Sequence, residues 1–373
     1  MNKTGLFLCF ALFGSCVDKD GKFAVEWNVD STLPDKGVNQ HIGLAGPVVG
    51  IIGSELIVGG GANFPDKMPW DGGTKAYESL FYRYDISKEG KLKLKDSIDF
   101  NSEIAYGANA SDGDYLYVTG GENSAGAVSA VYQYSIKEGG LEKEDLPELP
   151  IPLSNASSVC IDQDLYVIGG ENKDIVSDKV YVLDLSKKEG AWKEFCQLPK
   201  PITHAIVVAD QNKNILIAGG RKRNTNAKSD IYNSVYQLNI ESKEIKTLAN
   251  LTEPLAAGTG VYYNGKLIII GGDNGQTFHV VEQLIADINL EVDAGKKAEL
   301  VNRKNKIQSQ HPGFVKRVWA LDLQSQIWTP SDSIPFASPV TTTAILYKNQ
   351  IIIPSGEIKA GVRTNQILMG AIK

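Results

Sequence analysis

The chain has 373 residues, which is long enough for two or three ordinary domains, and its formal net charge is -6 at neutral pH. Its 37 glycines, 15 tyrosines and 5 tryptophans are typical of a globular β protein. A negative net charge gives no basic surface of the kind that binds nucleic acid, so no nucleic-acid partner is expected.

The first residues have the pattern of an export signal. Lys3 precedes an apolar stretch over residues 6–13, which is followed by Gly14, Ser15 and Cys16 and then by a polar segment. This stretch is much shorter than the roughly 20 residues that a membrane-spanning helix requires. We therefore interpret residues 1–16 as a leader and not as a transmembrane anchor.

The small residues before Cys16 resemble a bacterial lipobox, in which the cysteine is lipidated and becomes the new N-terminus. Phe13 stands where the lipobox usually has leucine. We expect an exported protein in which Cys16 carries a lipid, so that contact with a membrane occurs only through this anchor. A soluble periplasmic protein is the alternative.

Glycine pairs divide the rest of the chain into repeats. Six short apolar runs end in such a pair or a near equivalent, namely Gly59-Gly60, Gly120-Gly121, Gly169-Gly170, Gly219-Gly220, Gly271-Gly272 and Ser355-Gly356. Successive second glycines are 61, 49, 50, 52 and 84 residues apart, and a period of about 50 residues is typical of Kelch propeller blades. We predict that residues 23–373 form one all-β, six-bladed Kelch-type propeller.

The clearest repeat covers residues 155–199. It predicts an inner strand of small residues at 155–161 and an alternating strand at 164–168 that ends at the glycine pair. Two further strands are predicted at 179–185 and 192–198. Four antiparallel strands of this kind make one propeller blade.

The two ends of the chain are predicted to share a blade. The last repeat stops after its third strand at residues 367–372, whereas residues 23–29, which include Trp27, have the pattern of a fourth strand. We infer that residues 23–29 complete the sixth blade and close the ring, which leaves no long sheet edge exposed.

Cys160 and Cys196 are predicted to lie in the first and fourth strands of one repeat. Three strand spacings of ~4.8 Å separate such strands, whereas a disulfide requires Cα atoms within about 7 Å of each other. We therefore expect no disulfide between them and interpret both as small buried hydrophobic residues.

The fifth glycine spacing is much longer than the others, so blade five carries an insertion at about residues 276–316. One helix is predicted by apolar residues at helical spacing, which are Val281, Leu284, Ile285 and Ile288. A second, short helix is predicted near residue 300. The insertion is either a lid over the mouth of the propeller or a packing surface. The basic residues of the insertion are Lys296, Lys297, Arg303, Lys304 and Lys306. They either favour an anionic ligand or form a solvated charged face.

The loops after the glycine pairs open on one face of the predicted propeller. The residues just past the pairs are Gly61, Glu122, Glu171, Arg221, Asp273 and Glu357. The polar members are candidates for ligand binding. The alternative is structural, since an acid in such a turn can accept hydrogen bonds from loop amides.

Glu357 and Arg363 lie in one short loop, in which Gly361 allows a sharp return. A carboxylate can act as a general base, and a guanidinium can hold a carboxylate by two parallel hydrogen bonds. The chain has only six arginines, so an arginine at this place favours a specific role. A structural ion pair within the loop is the alternative.

The loop from Ser355 to Thr364 resembles the Asn-Gly-Glu-Ala-Lys-Pro-Gly-Leu-Arg-Thr type loop of bacterial N-acetylneuraminate epimerases, the sialic acid mutarotases, which are six-bladed Kelch propellers. Further similarity runs along residues 59–64 and through the insertion after Gly272, and it covers the mature chain if the blade order is rotated by four. The chain thus resembles a cyclically permuted branch of that family. It departs from the family pattern at Ser355, at Ala360, and at residues 65–67 after Asn63.

The resemblance implies an isomerase that interconverts α- and β-N-acetylneuraminate by opening the ring at the anomeric carbon. It implies that Glu357 is the base that takes the anomeric proton and that Arg363 either holds the substrate carboxylate or assists at the reacting oxygens. No metal or organic cofactor is expected. The substrate-binding residues implied at the mouth are Asn63, Glu122, Glu171, Arg221 and Asp273.

A non-catalytic Kelch module that binds glycan or protein is the main alternative. A sialidase is disfavoured because the chain has no Ser-x-Asp-x-Gly-x-x-Trp repeat. A copper oxidase is disfavoured because the histidines are not spaced like the ligands of a metal site. The histidines are His41, His204, His279 and His311.

Overall fold

The computed structural model describes residues 23–187 and 190–373. The predicted leader and the predicted lipidation site at Cys16 lie outside the described residues. Within the described ranges, the chain forms six four-stranded antiparallel sheets arranged as the blades of one propeller, four small hairpins and two α-helices. The predicted all-β, six-bladed fold is confirmed.

The first three blades follow each other along the chain, and within each blade the strands run outward from the axis in chain order. Blade 1 consists of Val48–Ile52, Glu55–Gly59, Leu80–Ile86 and Leu92–Asp99. Blade 2 consists of Ala108–Ser111, Leu116–Thr119, Val131–Lys137 and Gly140–Leu146. Blade 3 consists of Ser157–Ile161, Asp164–Ile168, Lys179–Asp184 and Lys193–Gln197, which agrees with the predicted strands to within two residues at each end.

The other three blades have the same order. Blade 4 consists of Ile206–Ala209, Asn214–Ala218, Val235–Asn239 and Ile245–Thr247. Blade 5 consists of Thr259–Tyr263, Lys266–Ile270, Val318–Asp322 and Ile327–Ser331. Blade 6 consists of Ile345–Tyr347, Gln350–Pro354, Gln366–Ile372 and, as its outer strand, Val25–Thr32.

The ring is closed by the two ends of the chain. Val25–Thr32 pairs antiparallel with Gln366–Ile372, in a register that sets Val25 opposite Ile372. Val25 is 4 % exposed and belongs to the apolar layer between blades 5 and 6, where it packs with Ile268 and Leu368. Burying one such aliphatic side chain contributes about 1.5–3 kcal/mol. The predicted closing strand is therefore confirmed.

The structure corrects the glycine register in the first repeat. In the other five repeats, both residues of the predicted pair have positive φ angles, as at Gly120 (φ 61°) and Gly121 (φ 108°). In blade 1 these angles occur at Gly60 (φ 56°) and Gly61 (φ 84°), whereas Gly59 is the last residue of its strand. The residue past the first pair is consequently Ala62, and the predicted Gly61 belongs to the pair itself.

A closed ring of backbone hydrogen bonds surrounds the propeller axis. The segment that leads into each inner strand contains a residue with a positive φ angle. The N–H of this residue donates a hydrogen bond of 2.7–3.0 Å to the carbonyl of the equivalent residue in the preceding blade. The six residues are Gly46, Tyr106, Asn155, His204, Ala257 and Thr341. They surround one end of an axial cavity of about 380 Å³ that is lined by the inner strands, and the loops after the glycine pairs lie at this same end.

Cys160 and Cys196 are free, as predicted, and lie in the first and fourth strands of blade 3. Both side chains are only partly buried, which corrects the expectation of buried hydrophobic residues. The reason is their position, because Cys160 faces the axial cavity and Cys196 lies on the outer strand of its blade.

The insertion in blade 5 is helical, as predicted. Its helices are α1 (Gln276–Leu290) and α2 (Ala294–Ser309). The second helix has 16 residues and is longer than the short helix that was predicted. It begins after Asp293, which caps the first turn by accepting a hydrogen bond from the Lys296 amide at 2.8 Å. None of the helices within the described ranges has the length and apolar content that crossing a membrane requires.

Candidate active site

Glu357 and Arg363 face each other on a small hairpin at the mouth of the propeller. The hairpin pairs Glu357–Lys359 with Val362–Arg363, and its register sets Glu357 opposite Arg363. Gly361 closes the turn with a φ of 80°, and its N–H donates a hydrogen bond to Oε1 of Glu357. The hairpin therefore fixes a carboxylate and a guanidinium side by side.

Arg363 retains free hydrogen-bonding capacity. Its Nε and Nη1 atoms are buried and have no hydrogen-bond partner within the described part of the chain. Its guanidinium carbon lies 4.7 Å from the ring centroid of Phe64, a geometry that favours a cation–π contact. Since buried donors are normally satisfied, this arginine is suited to binding an anion.

The environment of Glu357 alters its acidity. Burial raises the pKa of the Glu357 carboxyl above its ordinary value, the Arg363 charge opposes this rise, and the nearby Asp273 carboxylate adds to it. Burial also raises the pKa of Asp273. A carboxylate with a raised pKa is a stronger base at neutral pH, which is the property that a general base requires.

Two residues that sequence reasoning missed lie beside this pair. Lys75 places its Nζ atom 5.1 Å from the ring centroids of both Tyr77 and Tyr106, and it forms an ion pair with Glu122. The Tyr106 phenol lies within the electrostatic influence of Arg363, Glu357 and Lys75. Lys75 is carried by a long loop of blade 1, whose position no local pattern indicates.

Four of the predicted binding residues occupy equivalent positions around the mouth. Glu122, Glu171, Arg221 and Asp273 each form an isolated β-bridge with the residue that precedes one member of the backbone ring. The Oε1 atom of Glu122 accepts a hydrogen bond from the Tyr77 hydroxyl at 2.8 Å. Asp273 accepts a hydrogen bond from the Gly275 amide at 2.8 Å. This is the contact with a loop amide that the sequence analysis gave as the structural alternative to ligand binding.

Glu171 and Arg221 are engaged with each other. The Arg221 Nη2 atom lies 2.9 Å from Oε1 of Glu171, and the Arg223 Nε atom lies 3.6 Å from Oε2. Glu171 is 8 % exposed and also accepts a hydrogen bond from Asn155 at 3.4 Å. These contacts favour a positioning role for Glu171, while Arg221 remains partly exposed at the mouth.

Asn63 is buried and hydrogen-bonded to a neighbouring side chain. Its side chain is 2 % exposed, and its amide donates to Oε1 of Glu78 at 2.9 Å. The Nδ2 atom of Asn63 thus has a structural contact, while its buried Oδ1 atom has no partner within the described residues; the predicted contact with a sugar stays a prediction. The neighbouring Phe64 is the residue of this segment that reaches Arg363.

Ser355, which replaces the first glycine of the sixth pair, is structural. It has a φ of 57° and is fully buried. Its hydroxyl accepts a hydrogen bond from the Leu44 amide at 2.8 Å and lies 2.6 Å from the Thr364 carbonyl oxygen. The serine thereby fastens the base of the Glu357 hairpin to the loop that enters blade 1.

The helical insertion extends along the rim of the mouth. On one side, α1 contacts the blade 4 hairpin of Arg221–Asn224 and Ala227–Ile231, where the Ser229 amide donates to Glu282 at 2.9 Å. On the other side, the Asn305 amide of α2 donates to the Trp70 carbonyl in blade 1 at 2.9 Å. The insertion thus spans the rim from blade 4 to blade 1. Most of its predicted basic residues are exposed, namely Lys296, Lys297, Arg303 and Lys306.

The histidines show no metal-binding arrangement. Among residues 23–187 and 190–373, no group of three or more His, Cys, Asp or Glu side chains could hold a metal ion. His204 belongs to the backbone ring, and burial together with the Arg221 charge lowers its pKa well below the ordinary value. His204 is therefore neutral at physiological pH.

Comparison with known proteins adds the following findings. A family model described as N-acetylneuraminate epimerase matches residues 146–373. The N-acetylneuraminate epimerase of Salmonella typhi is 33 % identical over 127 residues, which cover 31 % of this chain and 32 % of that protein. The N-acetylneuraminate epimerase of Haemophilus influenzae (strain 86-028NP) is 24 % identical over 165 residues, 44 % of each chain. The matched segment thus spans about a third of the length of the Salmonella relative.

The fold has a solved counterpart. The structure of YjhT superposes with a TM-score of 0.63 and 16 % sequence identity, covering 92 % of this chain and 100 % of that chain. At this level of identity the similarity shows the fold alone.

Proposed function

The chain belongs to the N-acetylneuraminate epimerase family, and on this premise we propose that it interconverts the α- and β-anomers of N-acetylneuraminate. One observation carries the proposal. A carboxylate of raised pKa lies opposite a guanidinium with two unpartnered, buried donor atoms in a single hairpin at the mouth. Such a pair can remove a proton from a sugar while it holds an anionic group.

In the proposed reaction, Glu357 takes the proton of the anomeric hydroxyl, the carbonyl forms, and the bond from the anomeric carbon to the ring oxygen breaks. Rotation about the bond next to the new carbonyl presents its other face. Reclosure of the ring then gives the opposite anomer. Arg363 holds the substrate carboxylate throughout, because a planar guanidinium matches a carboxylate with two hydrogen bonds.

The remaining mouth residues are assigned to substrate binding. We assign contacts with sugar hydroxyls to Glu122, Arg221 and Asp273, since each lies at the mouth and is only partly buried. Glu171 positions Arg221 through their 2.9 Å ion pair. The helical insertion acts as a lid, and its exposed basic side chains attract the acidic sugar.

Proton NMR of freshly dissolved N-acetylneuraminate tests the proposal, because the two anomers give separate signals while they equilibrate. The protein should accelerate equilibration, and Glu357→Gln should lower the rate about 10²- to 10⁴-fold while sugar binding persists. Binding of the sugar without any acceleration by the wild-type protein would identify a non-catalytic binding module instead.

For localisation, we propose export and attachment to a membrane through a lipid on Cys16. The support is the sequence pattern of residues 1–16 alone. Expression of Cys16→Ala should release the protein from the membrane fraction. A wild-type protein that is already soluble and begins after residue 16 would contradict the lipid anchor.

A further inference from the structure

The proposed ring opening requires a proton donor that Glu357 and Arg363 do not supply. When the ring opens, the ring oxygen becomes a hydroxyl and must receive a proton. Glu357 accepts a proton at that moment, and an arginine guanidinium does not give up its proton in proteins. A third group at the mouth, either a side chain or a water molecule, must therefore supply this proton.

Tyr106 is placed to reach a sugar held by this hairpin. It lies at the mouth end of the axial cavity, where its N–H donates to the Gly46 carbonyl at 2.8 Å and its carbonyl accepts from the Asn155 amide at 2.9 Å. It thus belongs to the backbone ring, and its φ of 56° is an uncommon conformation for an aromatic residue. All six residues of the backbone ring share a positive φ, so the ring itself fixes the backbone position of Tyr106.

The surroundings keep the phenol in place. A Cβ atom on Gly46 would lie 2.4 Å from Cδ1 of Tyr106, so the Tyr106 ring occupies space that only glycine leaves open. The Lys75 ammonium lies 5.1 Å from the centre of the Tyr106 ring. The aromatic ring is therefore held by its neighbours while the hydroxyl lies among the charged residues of the site.

The charged groups that act on the Tyr106 phenol are Arg363, Glu357 and Lys75. Burial raises the pKa of Tyr106, the charges of Arg363 and Lys75 oppose this rise, and Glu357 adds to it. The phenol consequently carries its proton at neutral pH. The two cations beside it would stabilise the phenolate that forms when the proton is donated.

Other acids at the mouth fit less well. The Lys75 ammonium is paired with Glu122. Asp273 accepts a hydrogen bond from the Gly275 amide at 2.8 Å, and this contact favours its carboxylate form, which is a base and not an acid. His204 is buried and neutral beside Arg221.

We propose that Tyr106 is the acid that protonates the ring oxygen of the sugar, an inference that rests on the proposed anomer exchange. As Glu357 takes the anomeric hydroxyl proton, the bond between the anomeric carbon and the ring oxygen breaks, and the ring oxygen takes the proton of the Tyr106 hydroxyl. On reclosure the phenolate recovers that proton as the oxygen attacks the carbonyl carbon, and Glu357 returns its proton to the carbonyl oxygen. No proton or electron is gained or lost overall.

The test compares Tyr106→Phe with Tyr262→Phe. Tyr262 lines the same axial cavity but lies near the far end of the inner strand Thr259–Tyr263, so it serves as a matched control. Anomer exchange is followed by saturation-transfer NMR, and sugar binding by calorimetry. Tyr106→Phe should lower the exchange rate at saturating sugar by about 10²- to 10⁴-fold with little change in Kd, while Tyr262→Phe exchanges at the wild-type rate.

A second variant separates proton donation from packing. Replacing Tyr106 by 3,5-difluorotyrosine keeps the ring and lowers the pKa of its hydroxyl, so the loss of exchange at alkaline pH should begin at a lower pH than in the wild type. Exchange by Tyr106→Phe at the wild-type rate, or a pH profile that fluorination leaves unchanged, would overturn the assignment. If the wild-type protein itself fails to exchange anomers, the proposed function fails and not merely the role of Tyr106.

Discussion

The role of Arg363 can be tested by Arg363→Lys, which retains the positive charge and removes the planar two-point contact. Nε and Nη1 of Arg363 are buried and have no partner within the described residues, which leaves the edges of the guanidinium free for a substrate carboxylate. A hydrogen bond between charged groups contributes about 1.5–3 kcal/mol. Lysine can make one such contact but not two parallel ones. Since about 1.4 kcal/mol corresponds to a tenfold change in affinity, the Kd for the acidic sugar should rise roughly 10- to 150-fold.

Calorimetric titration with N-acetylneuraminate measures this change, and saturation-transfer NMR gives the exchange rate at saturating sugar for the same sample. The rate should change less than the affinity, because the carboxylate contact is present before and during ring opening. Arg317→Lys is a matched control, since Arg317 pairs with Glu253 and is 54 % exposed. An unchanged Kd in Arg363→Lys, or an equal loss of affinity for the uncharged sugar N-acetylmannosamine, would refute carboxylate binding by Arg363.

Four further predictions follow from the same contacts. Replacing residues 276–316 by a short Gly/Ser linker should leave a folded propeller with a raised KM, and unchanged KM and kcat would exclude a lid. Deleting residues 23–29 should lower the melting temperature markedly, because the strand Val25–Thr32 covers blade 6; melting within a degree or two of the parent would contradict closure. Gly46→Ala should destabilise the fold by about 2 kcal/mol or more in urea unfolding, since its φ is 60° and the added Cβ meets Tyr106. Burial raises the pKa of Glu357, so its contribution to the free energy of unfolding is present below the ordinary glutamate pKa and is lost as the pH rises through the higher folded value. Glu357→Gln should therefore become more stable relative to wild type as the pH rises from about 4 to about 7. The same difference in unfolding free energy between variant and wild type at both pH values would contradict this.

The sequence predicted the architecture because a propeller repeats one local pattern. Each blade buries alternate residues of short strands and ends its second strand at a pair with positive φ, so the six pairs mark six blades without any knowledge of tertiary contacts. The closing strand was predicted by the same logic, since a fourth strand at the start and a missing one at the end complement each other. The register failed only in blade 1, where three consecutive glycines, Gly59 to Gly61, made two pairs possible.

The site was predicted only in part, because its members come from different blades. Glu357 and Arg363 are six residues apart, so their pairing on one hairpin is a local event that spacing can indicate. Lys75 lies in a long loop of blade 1, and no periodicity places it beside Tyr106. Tyr106 itself carried a signal that aligning the repeats could have detected, since it is the one phenol at a ring position that Gly46, Asn155, His204, Ala257 and Thr341 fill in the other blades.

The hairpin that carries Glu357 depends on contacts that close the ring. Its base is fastened by the hydrogen bond between the Ser355 hydroxyl and the Leu44 amide, two residues 311 positions apart in the chain. The strand that follows the hairpin, Gln366–Ile372, is covered on its outer side by Val25–Thr32. Both contacts join the beginning of the propeller to its end, so neither can form until the ring closes. The geometry of the proposed base is therefore coupled to closure, because local opening of blade 6 would free Glu357 and Arg363 before the other five blades unfold.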